Sequence, residues 1–116
     1  MRFILNILIS AVAVLITAWM LPGVEVRDFM SALLVAVVLA FLNNIVKPIL
    51  TILTIPITIF TLGFFLLILN AIMIIIASKL VPEFHVQSFW WAFLFSLILS
   101  LVTSLLNGIL GNNDND

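Results

Sequence analysis

Four polar side chains interrupt the apolar middle of this sequence, and their types make them the residues that could do chemistry. They are Asn43, Asn44, Lys47 and Asn70. The first three fall within about one turn of a helix, since a turn holds about 3.6 residues. An amide or an ammonium group in an apolar environment is unfavourable unless it forms a hydrogen bond with a partner. We therefore expect these four residues to line a polar path or to make contacts between helices.

Lys47 is the sharpest of these candidates, because it is charged and lies between two apolar runs. Such a lysine could bind an anionic headgroup or gate a path, or it could extend its ammonium group from a helix end to the membrane surface. Asn70 lies far from either end of its own apolar run. We expect its amide to bond to Asn43, to Asn44 or to hydroxyl groups of the last apolar segment.

Other kinds of chemistry lack the residues that they need. His85 and Glu83 supply one imidazole and one carboxylate, which is fewer ligands than a zinc site uses. The chain has no cysteine, no phosphate-binding loop and no Ser, His and Asp set. No acidic residue lies inside an apolar segment, which argues against the proton relays of pumps and transporters. The sequence predicts no catalytic residue, no metal site and no cofactor, and it predicts that the protein is not an enzyme.

The composition indicates a protein surrounded by lipid. Of the 116 residues, 66% are hydrophobic and 8% are charged, whereas soluble domains are about half apolar and about a quarter charged. The length allows one domain. The net charge is -1, and the absence of a concentrated basic surface excludes binding to nucleic acid.

Four predicted transmembrane helices must position the polar residues. They cover about residues 3–21, 28–47, 57–80 and 89–110. Nineteen helical residues extend about 28 Å, close to the thickness of a hydrocarbon core. Asp28 is the expected N-cap of the second span, and Trp19 with residues 89–91 forms an aromatic belt at one membrane surface. Residues 112–116 are predicted to form a disordered acidic tail.

The connection between the second and third spans contains two prolines. Pro48 disfavours helical geometry in the residue before it and therefore predicts a break there. Pro56 predicts a second break. Residues 48–56 are thus expected to form a separate short segment, which either lies along the membrane interface or enters the bilayer and returns.

An internal repeat relates the two halves of the chain at an offset of 60 residues. The motif Leu21-Pro22-x-x-x-Val26-x-x-Phe29 recurs as Val81-Pro82-x-x-x-Val86-x-x-Phe89. We predict an all-α membrane protein whose four transmembrane helices form two repeated helical hairpins with a short interfacial or re-entrant segment between them. Both hairpins enter from the same side, so a pseudo-twofold axis should run along the membrane normal. Residues 24–26 and 84–86 are expected to pair as a two-stranded ribbon.

Small side chains recur every four residues on the second and fourth spans and form the expected helix-packing seam. Small residues let membrane helices approach closely. The seam residues are Ala32, Ala36, Ala40, Ala92, Ser96, Ser100 and Ser104. The two parts of the seam are expected to face each other across the pseudo-twofold axis.

The orientation in the membrane is weakly encoded. With four spans, Arg2 and Lys47 fall on one side, and Arg27 and Lys79 fall on the other. The positive-inside rule counts such residues near span ends and here gives a tie. We expect both termini to be cytoplasmic because Arg2 and the α-amino group precede the first span together, with dual topology as the alternative.

Several short motifs occur in an order that resembles a known family. They are Asn43-x-x-x-Lys47-Pro48-Ile49-Leu50, Leu53-Thr54-Ile55-Pro56-Ile57-Thr58, Thr61-Leu62-Gly63 and Asn70-Ala71. The chain resembles the bacterial membrane proteins grouped as phage holin family 4, superfamily IV, along nearly its whole length. The resemblance implies a four-span protein of the bacterial inner membrane. Phage holins oligomerise to open membrane lesions and often carry a basic tail, whereas the tail here, GNNDND, is acidic.

Three functions stay open at this point. The first is a non-enzymatic, oligomeric cell-envelope protein of the holin-like kind that forms a pore or lesion. The second is a small transporter or channel whose path is lined by Asn43, Asn44, Lys47 and Asn70. The third is a regulatory subunit, for example of a membrane stress-response system. The expected partners are the lipid bilayer and either further copies of the chain or another membrane protein.

Overall fold

The computed structural model describes residues 2–111, and helices make up most of them. The five helices are α1 (Arg2–Met20), α2 (Phe29–Leu53), α3 (Ile55–Phe60), α4 (Phe64–Leu80) and α5 (Phe89–Leu106). Helix α5 continues as a π-helical turn over Asn107–Gly111. Two strands, β1 (Val24–Val26) and β2 (Phe84–Val86), lie between the helices. The predicted acidic tail at residues 112–116 lies outside the described residues.

The four long helices form a ring. Helix α1 packs against α2 and α5, and α4 packs against the same two helices. Among the described residues, α2 and α5 lie across the ring from each other without direct backbone contact. By length and composition α1, α2 and α5 can cross a membrane, and α4 is a shorter apolar helix of 17 residues. Seventeen helical residues extend about 25 Å, so α4 spans a bilayer only if the bilayer thins locally or residues beyond its ends take part.

The interior of the ring combines many small side chains with a few large ones such as Leu69, Met73 and Phe95, and many further large apolar side chains face outward. The four long helices all contribute buried alanines, which are Ala11, Ala13, Ala32, Ala36, Ala71, Ala77 and Ala92. Exposed side chains include Phe3, Leu34, Phe41 and Leu101. Small residues allow close helix approach where lipid is as apolar as the side chains. Large apolar residues on the outside are the arrangement that lipid, rather than water, favours.

The two strands confirm the predicted ribbon. β1 pairs antiparallel with β2, with Val24 opposite Val86, Glu25 opposite His85 and Val26 opposite Phe84. The ribbon is extended by Gln87, whose N–H donates to the carbonyl oxygen of Gly23 at 2.9 Å. Phe84 is fully buried, and its ring centroid lies 5.4 Å from that of Phe95 in α5. This contact ties the ribbon to the end of the bundle.

The helices that follow the strands begin differently from each other. The N–H of Ser31 donates to Asp28 Oδ1 at 2.9 Å, which confirms Asp28 as the N-cap of α2. This bond from the backbone of Ser31 stabilises the carboxylate, so the pKa of Asp28 lies below its usual value. Ser88, the equivalent residue before α5, makes no capping bond with its side chain.

The break predicted at Pro48 is wrong. Helix α2 runs through this proline to Leu53 and contains a π-helical turn over Leu42–Val46. In this turn the N–H of Lys47 reaches the carbonyl oxygen of Leu42, five residues earlier. A regular helix would press the proline ring against the carbonyl group four residues before it, and the wider π turn relieves that contact.

A separate short segment exists, but it begins later than expected. It is α3, with Pro56 in its first turn. The chain leaves α2 at Thr54, whose hydroxyl donates to the carbonyl oxygen of Leu50 at 2.8 Å. It leaves α3 through Leu62 and Gly63, which have φ angles of 59° and 90°. These left-handed conformations turn the chain into α4.

Candidate polar site within the bundle

Lys47 and Asn70 are brought together by α2 and α4. The ammonium group of Lys47 donates a hydrogen bond to Asn70 Oδ1, and both side chains are partly buried. The expectation that Asn70 bonds to Asn43, Asn44 or a hydroxyl group of the last span is wrong, because its partner is Lys47. The bond joins a residue in the C-terminal part of α2 to one in the first half of α4.

The direction of the lysine side chain follows from helix geometry. Side chains on a helix point back toward its N-terminus, so Lys47 leans toward the middle of α2, and its bond to Asn70 directs it toward α4. Asn70 lies six residues after Phe64, about 9 Å along the axis of α4. Among the described residues, no carboxylate pairs with Lys47, since the ion pairs there join Arg27 to Asp28 and Glu83. The structure therefore places an amide oxygen, not an acidic group, against this ammonium.

Asn43 and Asn44 do not join this contact. Both are exposed at the surface of the single chain, and neither makes a side-chain hydrogen bond within the described residues. Asn43 lines a cavity, which Asn44 does not. The four polar residues thus divide into a bonded pair and two exposed amides that make no side-chain hydrogen bond within the described residues.

The cavity beside Asn43 has a volume of about 340 Å³ and lies between α1, α2 and α5. Its polar lining consists of Ser10, Asn43, Ser100, Thr103 and Ser104. Its apolar lining includes Val14, Ala36 and Leu39. A cavity of this size with several polar groups has room for water, which needs two to four polar partners.

The small-residue seam divides between packing and this cavity. Ala32, Ala36, Ala92 and Ser96 are buried, Ala40 is partly buried, and Ser100 and Ser104 are exposed. The hydroxyl of Ser96 donates to the carbonyl oxygen of Phe93 at 2.8 Å. The two parts of the seam line one cavity through Ala36, Ala40, Ser100 and Ser104. Near the ribbon the seam residues are buried between helices, and farther from the ribbon they border the polar cavity.

Sequence reasoning missed Ser10. The 60-residue repeat could have identified it, because Ser10 stands 60 residues before Asn70, a polar residue already singled out. The two positions differ in environment: Ser10 borders the cavity from α1, and Asn70 on α4 accepts from Lys47. A repeat register extended back into the first span would have found it.

Comparison with known proteins identifies the family. Residues 1–105 match the family described as mycobacterial 4 TMS phage holin, superfamily IV. The chain belongs to this holin family. Its match confirms the resemblance that the motifs indicated, and the family's four spans fit α1, α2, α4 and α5. This holin-family protein is therefore a multi-pass membrane protein with lipid around its apolar helices.

Two relatives of this holin-family protein cover nearly the whole chain. The uncharacterized protein SCO3922 of Streptomyces coelicolor is 35% identical over 123 aligned positions, which include 97% of this chain and 98% of the relative. The uncharacterized membrane protein YvlD of Bacillus subtilis is 30% identical over 111 positions, with 94% of this chain and 93% of the relative covered. No solved structure matches the chain.

Proposed function

We propose that this protein is a non-enzymatic, holin-like protein of the bacterial inner membrane that associates with copies of itself and opens a polar passage. One observation carries the proposal: polar side chains lie exposed around a cavity at membrane depth. Ser100 lies eleven residues into α5, about 16 Å along its axis. Asn43 precedes the end of α2 by ten residues, or about 15 Å.

Such groups need partners that hydrocarbon does not provide. In a single chain surrounded by lipid, Asn43, Ser100 and Ser104 would face acyl chains. A second copy against this face, or water in the cavity, satisfies them. Polar side chains are a known source of affinity between membrane helices. Association and a wet passage are thus two consequences of the same exposed groups.

The proposed unit is a duplicated helical hairpin. Exchange of the two halves maps α1 onto α4 and α2 onto α5, and the four packing pairs of the ring map onto one another. The ribbon register supports the same exchange, because Glu25 and His85 pair with each other and stand 60 residues apart. A pseudo-twofold axis through this pair would run along the membrane normal.

The test is release of a small polar dye from liposomes that contain the purified protein. We expect release by the wild type and a strong reduction by Asn43→Leu, which removes the amide from the cavity wall. Asn6→Leu is the matched control, because Asn6 is an exposed amide in α1 outside this lining. Equal release by both variants would refute a role for the cavity, and no release by the wild type would refute the passage.

A channel within one copy is the alternative that the same cavity favours. The two versions differ in how release depends on the protein-to-lipid ratio. Assembly predicts a steep, more than linear rise, whereas a single-copy channel predicts proportional release. Cysteine cross-linking adds a structural measure: Ser104→Cys should cross-link between copies more readily than Leu105→Cys, the exposed neighbour about 100° around α5.

A further inference from the structure

An open groove, larger than the polar cavity described above and separate from it, lies at the ribbon end of the bundle. It has a volume of about 1020 Å³ and lies between the end of α1 and the two strands. Ligand sites range from about 300 to about 1,000 Å³, so this groove is large enough for a sizeable molecule. One wall is apolar and includes Leu15, Ile16 and Trp19. The other wall, called the charged rim below, carries Glu25, Arg27, Glu83 and His85.

The charges on this rim are only partly satisfied. Arg27 Nη2 lies 3.7 Å from Glu83 Oε2, and Arg27 Nε lies 3.7 Å from Asp28 Oδ2. These are loose pairs, and the Arg27 side chain is 67% exposed. Glu25 is exposed and has no ion-pair partner among the described residues. The rim thus offers a guanidinium group with free donors and a carboxylate with free acceptors. Glu25, Glu83 and His85 do not form a metal-binding group.

The groove also combines two environments. Trp19 is 88% exposed at the end of α1, where an indole ring sits well at the boundary between headgroups and acyl chains. Leu15 and Ile16 lie one turn deeper, on the side of the hydrocarbon. A molecule that fills the groove must have an apolar chain on one side and a charged head on the other. Phospholipids have this shape and are present at that depth.

We propose that this groove binds a phospholipid whose headgroup carries a primary amine, as in phosphatidylethanolamine. The phosphate accepts hydrogen bonds from Arg27, and the ammonium donates to Glu25. An acyl chain lies along Leu15 and Ile16. An anionic glycerol headgroup suits the site less well, because two glutamates outnumber one arginine on the rim. A choline headgroup has no N–H to donate to a carboxylate.

The test measures lipid binding to the full chain in detergent by native mass spectrometry. Phosphatidylethanolamine, phosphatidylglycerol and phosphatidylcholine with identical acyl chains are compared. We expect the ethanolamine lipid to bind about tenfold more tightly than the other two, a difference that corresponds to about 1.4 kcal/mol. Equal binding of the three lipids, or a preference for phosphatidylglycerol, would overturn the proposal.

Two variants test which residue binds the amine of the headgroup and which binds the phosphate. Glu25→Gln should abolish the preference for ethanolamine over choline, whereas Arg27→Gln should weaken all three lipids through the shared phosphate. Lys79→Gln is the matched control, because Lys79 is exposed at the same end of the bundle and outside the groove. Circular dichroism checks that each variant is folded. A preference that persists in Glu25→Gln would contradict the assignment, and neither result depends on dye release.

Discussion

At the scale of single residues, the contact between Lys47 and Asn70 is the most consequential one in the bundle. It gives a charged group in a spanning helix an oxygen to bond, and it links α2 to α4. The sequence could identify both residues, because polar side chains in apolar runs need partners. It could not pair them, because the partner of Asn70 depends on how α2 and α4 are turned toward each other.

We predict that Asn70→Leu destabilises the protein by about 1–3 kcal/mol, the cost of leaving the partly buried ammonium group of Lys47 without its acceptor. Thermal unfolding in detergent measures the change. Asn44→Leu is the control and should be neutral or stabilising, since Asn44 is exposed and makes no bond in the described chain. The double variant Lys47→Met with Asn70→Leu should recover part of the loss. Equal stability of the two asparagine variants would show that the lysine contact contributes nothing.

Gly23 is a second residue whose identity the structure explains. A Cβ atom at this position would lie 2.1 Å from the ring of Trp91. We predict that Gly23→Ala displaces this indole and destabilises the fold by about 1–3 kcal/mol, as measured by thermal unfolding. Gly108→Ala is the control, because a Cβ atom there meets nothing within 4 Å. A Gly23→Ala protein as stable as wild type would mean that the ring does not pack against this glycine.

At the scale of elements, the prediction of the strands and the error at Pro48 have different physical origins. The ribbon is a local pattern that occurs twice, so the repeat placed both strands at their observed residues. The effect of Pro48 depends on the turn before it, because the π turn over Leu42–Val46 makes room for the proline ring. No single-residue preference in the sequence encodes that turn, and a rule for regular helices therefore predicts a break.

The π turn leads to a prediction about the cavity. Pro48→Ala removes the ring that the wide turn accommodates, so a regular helix over residues 42–46 becomes favourable. The residues before it should then rotate by about 100° relative to those after it. A cysteine at position 43 should react with a water-soluble thiol reagent in the otherwise wild-type background and react less with Pro48→Ala. Pro56→Ala in α3 is the control and should leave the reaction unchanged. Unchanged labelling with Pro48→Ala would show that the π turn does not depend on the proline ring.

At the scale of the whole molecule, composition and spacing predicted a bundle surrounded by lipid, and the family match agrees. The arrangement of the helices in the ring was harder to predict from the sequence. The seam residues of α2 and α5 were expected to face each other. Ala36, Ala40, Ser100 and Ser104 line a common cavity, while the two helices make no direct backbone contact within the described residues. Spacing identifies which residues share a helix face. The distance between two such faces depends on the helices that separate them, and here those are α1 and α4.

The most direct test of the account is whether water reaches the polar cavity inside the membrane. Single cysteines replace Ser10, which lines the cavity, and Val12, which is exposed on another face of α1. In proteoliposomes, a water-soluble maleimide should label Ser10→Cys and leave Val12→Cys unlabelled. Equal labelling of the two positions, or labelling of Val12→Cys alone, would contradict a wet cavity within a lipid-surrounded bundle.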